Sequence, residues 1–96
     1  MTELDAASRP RLARGVRLRL DRLTGKTLLL RPEQGFELQG SALEIVKLCQ
    51  GDLSIAEIVE RLASLHQDAP RAQLAADVTR LLTDLTSRGL LTVEVS

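Results

Sequence analysis

The segment Arg31-Pro32-Glu33-Gln34-Gly35-Phe36-Glu37-Leu38 constrains this chain more than any other. Pro32 removes a backbone donor, so it marks a strand end or the edge of a sheet. A short strand is expected from about Gly35 to Leu38, with the chain's only aromatic residue, Phe36, between Gly35 and Glu37. A helix follows at once and closes on Leu48-Cys49-Gln50-Gly51. A short strand that ends a sheet keeps free N–H and C=O groups, which are a template for an added strand. Phe36 is then either a core ring or one wall of a pocket for a side chain of that strand.

The strands before it follow from alternation. Val16, Leu18 and Leu20 point one way and Arg17, Arg19 and Asp21 the other, the pattern of a half-buried strand. Thr24-Gly25 makes a turn and Lys26 to Leu30 returns. The unbroken Leu28-Leu29-Leu30 asks for burial on both faces, or for a partner over one of them.

Past the third strand the period becomes helical. Ser41-Ala42-Leu43-Glu44 and Ser54-Ile55-Ala56-Glu57 both read as capping boxes, in which the serine takes an orphan N–H and the glutamate reaches back. Ala42, Ile45, Val46, Leu48 and Cys49 cover a wide arc, which makes the first helix, running to about Gln50, central. Ile55, Ile58, Val59 and Leu62 stripe the second. Pro70 opens the third, Leu74, Val78, Leu81, Leu82 and Leu85 form its apolar face, and Gly89 stops it. Leu90 to Val95 is extended. The expected fold is α+β and winged-helix-like: a three-stranded antiparallel sheet, a three-helix bundle and a short extended tail. Residues 1–11 are expected to be a flexible arm and residues 12–96 a single winged-helix-like domain.

Charge divides the chain. Residues 1–31 carry eight Arg or Lys against three acids, and residues 32–96 carry five against ten, although the net charge is zero. Arg17 and Arg19 share the outward face of the first strand, and Arg22 and Lys26 flank the turn. These four are the candidate contacts for an acidic protein partner, unless they are only a solvated face.

Little here could do chemistry. Cys49 lies on the buried arc and His66 falls near the end of the second helix, so one thiol and one imidazole offer no metal constellation. No glycine-rich phosphate loop is present. Catalytic residues, metal and cofactor are all expected to be absent. No apolar run approaches the ~18–20 residues that span a bilayer, and Met1 to Pro10 lacks the apolar core of a signal peptide. With a lone cysteine, a reducing cytoplasm is the expected location. Three helices and a hairpin also suggest a nucleic-acid-binding winged helix. Against it, the hairpin precedes the helices, Asp77 and Asp84 interrupt Arg71, Arg80 and Arg88, and the helical half is acidic.

Arg9-Pro10-Arg11-Leu12, Gly15-Val16-Arg17-Leu18, Leu29-Leu30-Arg31-Pro32-Glu33, Leu48-Cys49-Gln50-Gly51, Ile58 with Leu62, Asp77-Val78 and Arg88-Gly89-Leu90-Leu91 occur in order along nearly the whole chain. As a co-linear set they resemble the family of pyrroloquinoline quinone (PQQ) biosynthesis protein D, with Gln39, Gln50 and His66 as departures. The resemblance implies a scaffold without catalysis of its own. It would capture a ribosomal precursor peptide and present it to a radical S-adenosylmethionine enzyme. The peptide would add antiparallel to the third strand, along Glu33, Gln34, Gly35, Phe36, Glu37, Leu38 and Gln39, with Leu74, Asp77, Val78, Leu81 and Asp84 of the third helix facing it. The small sheet and short helices further suggest a homodimer formed by exchange of an element. Two function classes stay open at this point, the peptide chaperone and the nucleic-acid-binding protein.

Overall fold

A computed structural model of the chain describes residues 5–94. The first four residues of the expected arm and the end of the expected tail, Val95, lie outside these described residues. Strands β2 (Arg17–Asp21), β3 (Lys26–Arg31) and β4 (Gln34–Leu38) form the expected antiparallel sheet in the order β2-β3-β4. Among the described residues, β2 and β4 are therefore both edge strands.

Only Pro32 and Glu33 separate β3 from β4. Proline at the first turn position suits both type I and type II turns, and the type II form puts the second residue in the left-handed region, where Gly or Asn is usual. Glu33 sits there with φ of 67°, the only non-glycine among the described residues with positive φ. Removing its Cβ should relieve crowding against the following carbonyl. Glu33→Gly is expected to raise stability by ~1 kcal/mol, read as a higher urea midpoint. A lower midpoint would show that the glutamate supports the turn.

The tight closure also fixes which backbone groups face outward. Arg31 and Gln34 close the hairpin as a hydrogen-bonded pair, so Leu29–Phe36 and Thr27–Leu38 are hydrogen-bonded too. The N–H and C=O of Gly35 and Glu37 consequently point away from the sheet. Carried across β3, the same alternation turns those of Leu18 and Leu20 outward from β2. Directly paired residues share a face, which places Leu18, Leu29 and Phe36 on the helix side and Arg19, Leu28 and Glu37 on the other. The leucine run is resolved accordingly: Leu29 is buried, while Leu28 and Leu30 are half-buried on the outer face.

The N-terminal segment departs from expectation. Arg9–Leu12 is not a loose arm but strand β1, paired antiparallel with β5 (Leu91–Glu94) in a second, two-stranded sheet. Ser8 and Pro10 are fully buried. This segment satisfies backbone donors elsewhere: the Ser8 carbonyl accepts from Ile55 N–H at 2.9 Å, Ala6 from Ala56 at 3.0 Å, and Pro10 from Gly51 at 3.0 Å.

Helices α1 (Gly40–Lys47), α2 (Ile55–Leu65) and α3 (Arg71–Ser87) follow the expected order. At α2 the capping box forms, with Ser54 Oγ accepting from Glu57 N–H at 3.2 Å and Glu57 Oε1 accepting from Ser54 N–H at 2.9 Å. At α1 it does not. Gly40, with φ of 57°, starts the helix two residues early, and the N-cap is Gln39 in place of Ser41, without a side-chain bond. Glu44 instead meets His66 Nε2 at 2.7 Å, which ties α1 to the end of α2. The helix also ends at Lys47, short of Gln50. One core joins Leu29 and Leu38 of the sheet to Ile45 and Val46, Ile58 and Leu62, Val78, Leu82 and Leu85 of the helices, and to Leu90 and Leu91.

Candidate functional site

The site grows from the free edge of β4. Gly35 and Glu37 present unpaired backbone donors and acceptors there, and Phe36 leans inward from between them. Phe36 is half-buried and packs against the core, so it is partly core ring and partly surface. The Arg88 guanidinium lies 5.9 Å from its ring centroid, within cation–π range. Arg88 is in turn held by Asp84, with Nε at 3.1 and 3.2 Å from the two carboxylate oxygens. Arg31 Nη1 donates to the Arg88 carbonyl at 2.8 Å, giving the C-terminus of α3 a cationic partner from β3. The sheet edge and α3 are thus bound at one end.

From that end a groove of about 560 Å³ runs between α1 and α3, walled by Ser41, Ala42 and Ile45 on one side and Asp77, Arg80, Leu81 and Asp84 on the other. It has an apolar floor at Ile45 and Leu81 and a charged rim. Asp77 accepts from the Gln73 amide at 3.1 Å and has Arg80 at 4.0 Å. Of the residues expected from α3, Asp77, Leu81 and Asp84 reach this groove. Leu74 and Val78 do not: they are 8% and 0% exposed and belong to the core beneath it. The α1 wall and Arg88 were missed by sequence reasoning. The only signal for Arg88 was its i+4 spacing from Asp84.

Glu37 is tied down on the outer face. Gln39 Nε2 donates to it at 2.9 Å and Lys26 Nζ lies at 3.1 Å. The Gln39 bond first, and then Lys26, hold its carboxyl below the usual range. The pair therefore contributes above the ordinary carboxylate pKa, and that contribution is lost as pH falls through the lowered one. Lys26 is accordingly engaged within the sheet, whereas Arg17, Arg19 and Arg22 are exposed.

Cys49 is the nearest thing to a nucleophile. It is buried, its Sγ is 3.2 Å from the Ile45 carbonyl, and desolvation pushes its thiol up to about 12. A thiol this protonated reacts slowly. Maleimide labelling of the folded chain is expected to be far slower than in urea, and Cys49→Ala to leave the fold intact. Rapid native labelling would contradict the geometry. Among the described residues, no group of three His, Cys, Asp or Glu could hold a metal, and no helix is long and apolar enough to cross a membrane.

An open strand edge and a helix-lined groove stand together on a small α+β module. The family model for Coenzyme PQQ synthesis protein D (PqqD) matches residues 26–91. The chain belongs to this family. It is 41% identical to a PqqA binding protein of Rhodopseudomonas palustris (strain HaA2), over 88% of this chain and 82% of that one. Its fold is similar to the solution structure of the PqqD truncation of Methylobacterium extorquens PqqCD, described as a stand-alone recognition element for ribosomally synthesized and post-translationally modified peptides. The TM-score is 0.77 at 35% identity, covering 95% and 96% of the two chains. The crystal structure of PqqD from Xanthomonas campestris matches with a TM-score of 0.53 at 36% identity, over 80% of this chain and 84% of that one.

Proposed function

We propose that this chain is a non-catalytic chaperone of PQQ biosynthesis that binds the ribosomal precursor peptide as a fourth strand on β4. The observation that carries the reading is the outward N–H and C=O of Gly35 and Glu37 beside the α1–α3 groove. The name PqqA binding protein, borne by the relatives, supports it. Main-chain bonds along Glu33 to Gln39 supply affinity. Alternate side chains of the peptide meet Phe36, Leu81 and the rim acids Asp77 and Asp84 and supply selection. Leu74 and Val78 support the groove from beneath.

The bound peptide is presented to a radical S-adenosylmethionine enzyme, which docks through the basic hairpin at Arg17, Arg19 and Arg22. The chain works in the cytoplasm. Two copies associate by exchanging an element, and peptide favours the monomer because the exchange hides part of the groove.

Titration of the labelled chain with synthetic precursor peptide tests the central claim. Amide shifts are expected along residues 34–38 and 77–88, with an affinity that changes little between low and moderate salt. Shifts confined to other surfaces would overturn the β4 site. Tight binding to duplex DNA that falls steeply with salt, without peptide binding, would return the chain to the nucleic-acid class.

A further inference from the structure

We propose that the opposite edge of the sheet, β2 with the tip of its hairpin, is a second docking surface whose occupant is an acidic segment of a different protein chain. Leu23 is 98% exposed and Leu20 56%. Two leucines standing in water three residues apart differ from the scattered single ones that any surface carries. Leu18, Leu20, Leu23, Leu28 and Leu30 line a concavity of about 810 Å³ together with Arg19, Arg22 and one acid, Asp21. Its floor runs along the free edge of β2, where the N–H and C=O of Leu18 and Leu20 point outward. Apolar anchors and an unpaired backbone therefore coincide.

The charges choose the occupant. Arg17, Arg19 and Arg22 have no ion pair among the described residues. The nearest acid in sequence, Asp21, already accepts from the Leu23 N–H at 3.0 Å. A second copy of this chain is a poor source of an extended acidic segment: Glu37, Glu44, Glu60, Asp77 and Asp84 are already paired, and the exposed Glu33, Asp52 and Asp68 fall in three separate turns. An extended, acidic and partly apolar segment of another chain matches the cations, the leucines and the backbone edge together.

This inference rests on the enzyme-partner reading above and adds the anchors that the basic residues alone do not supply. The test is calorimetric titration of the full chain into the pathway's radical enzyme, with precursor peptide binding and thermal unfolding measured in parallel. Leu23→Asp removes a fully exposed side chain, so the fold and peptide affinity should hold while enzyme affinity falls ~10-fold or more, the equivalent of one buried leucine. The pair Arg17→Glu and Arg19→Glu should weaken the same complex and flatten its salt dependence. If the arginine variant weakens the complex but Leu23→Asp binds like the unaltered chain, the inference falls and the partner reading survives; if both variants bind like the unaltered chain, docking at this hairpin falls with it. If the enzyme does not bind the unaltered chain, both fall. Leu23-dependent binding to phosphatidylserine vesicles, with the enzyme complex indifferent to Leu23, would assign the surface to lipid and overturn the proposal.

Discussion

Glu37→Pro should abolish peptide capture at concentrations that saturate the unaltered chain, while the unfolding midpoint moves little. The N–H of Glu37 points away from β3, so proline removes no bond of the existing ladder, and edge strands tolerate it. What it removes is a donor to the incoming strand, and its ring occupies the space that strand needs. The lost bond is worth ~1 kcal/mol, and the steric conflict adds at least as much, for a combined loss of roughly 30-fold or more. The substitution also deletes the exposed pair with Lys26, which water screens and which therefore contributes little. Glu37→Ala is the control for that pair and should bind nearly normally. Phe36→Ala should weaken binding by ~1–3 kcal/mol if the ring walls a pocket for a peptide side chain. Normal peptide affinity in Glu37→Pro would exclude strand addition at β4, whatever else the chain binds.

The second large effect concerns the N-terminal segment. Deleting residues 1–12 removes β1 and its pairing with β5, the buried Ser8 and Pro10, and the carbonyls that receive Ile55, Ala56 and Gly51 N–H groups. Those three donors would lose their partners, two of them at the first turn of α2. At ~1 kcal/mol for each bond, the lost bonds and ladder approach the ~5 kcal/mol at the lower end of small-domain stability. The truncated chain is expected to be largely unfolded at room temperature by circular dichroism. A cooperative transition near that of the full chain would show that the domain folds without β1, as its sequence suggested.

Local patterns were legible in the sequence and long-range pairings were not. The β2–β3–β4 sheet could be read because alternation and turn residues are written within a few positions of each other. The box at Ser54 formed as read, whereas the identical pattern at Ser41 was overruled. There, the backbone freedom of Gly40 moved the helix start, and His66, far along the chain, drew Glu44 away. Arg9-Pro10-Arg11-Leu12 is too short and too charged to announce a strand, and its partner lies at the other end of the chain. On α3 the apolar positions cover so wide an arc that sequence could not separate Val78, pointing into the core, from Leu81, reaching the groove. That distinction depends on where α1 packs. Arg88 was equally illegible, since its contact with Phe36 joins two elements that sequence treats separately.

The pairing of the first strand with the last also sets the order in which the molecule can assemble. The β2–β3–β4 meander and the α2–α3 pair are built from neighbours in sequence, so little chain entropy is lost in closing them. The β1–β5 ladder closes almost the entire chain into one loop, and its entropic cost is recovered only once the helices between have docked. The free edge of β4 can therefore take shape early in refolding, with β1 and β5 closing afterwards. A nascent chain still tethered at its C-terminus would hold a formed β4 before β5 is free to lock β1 in place.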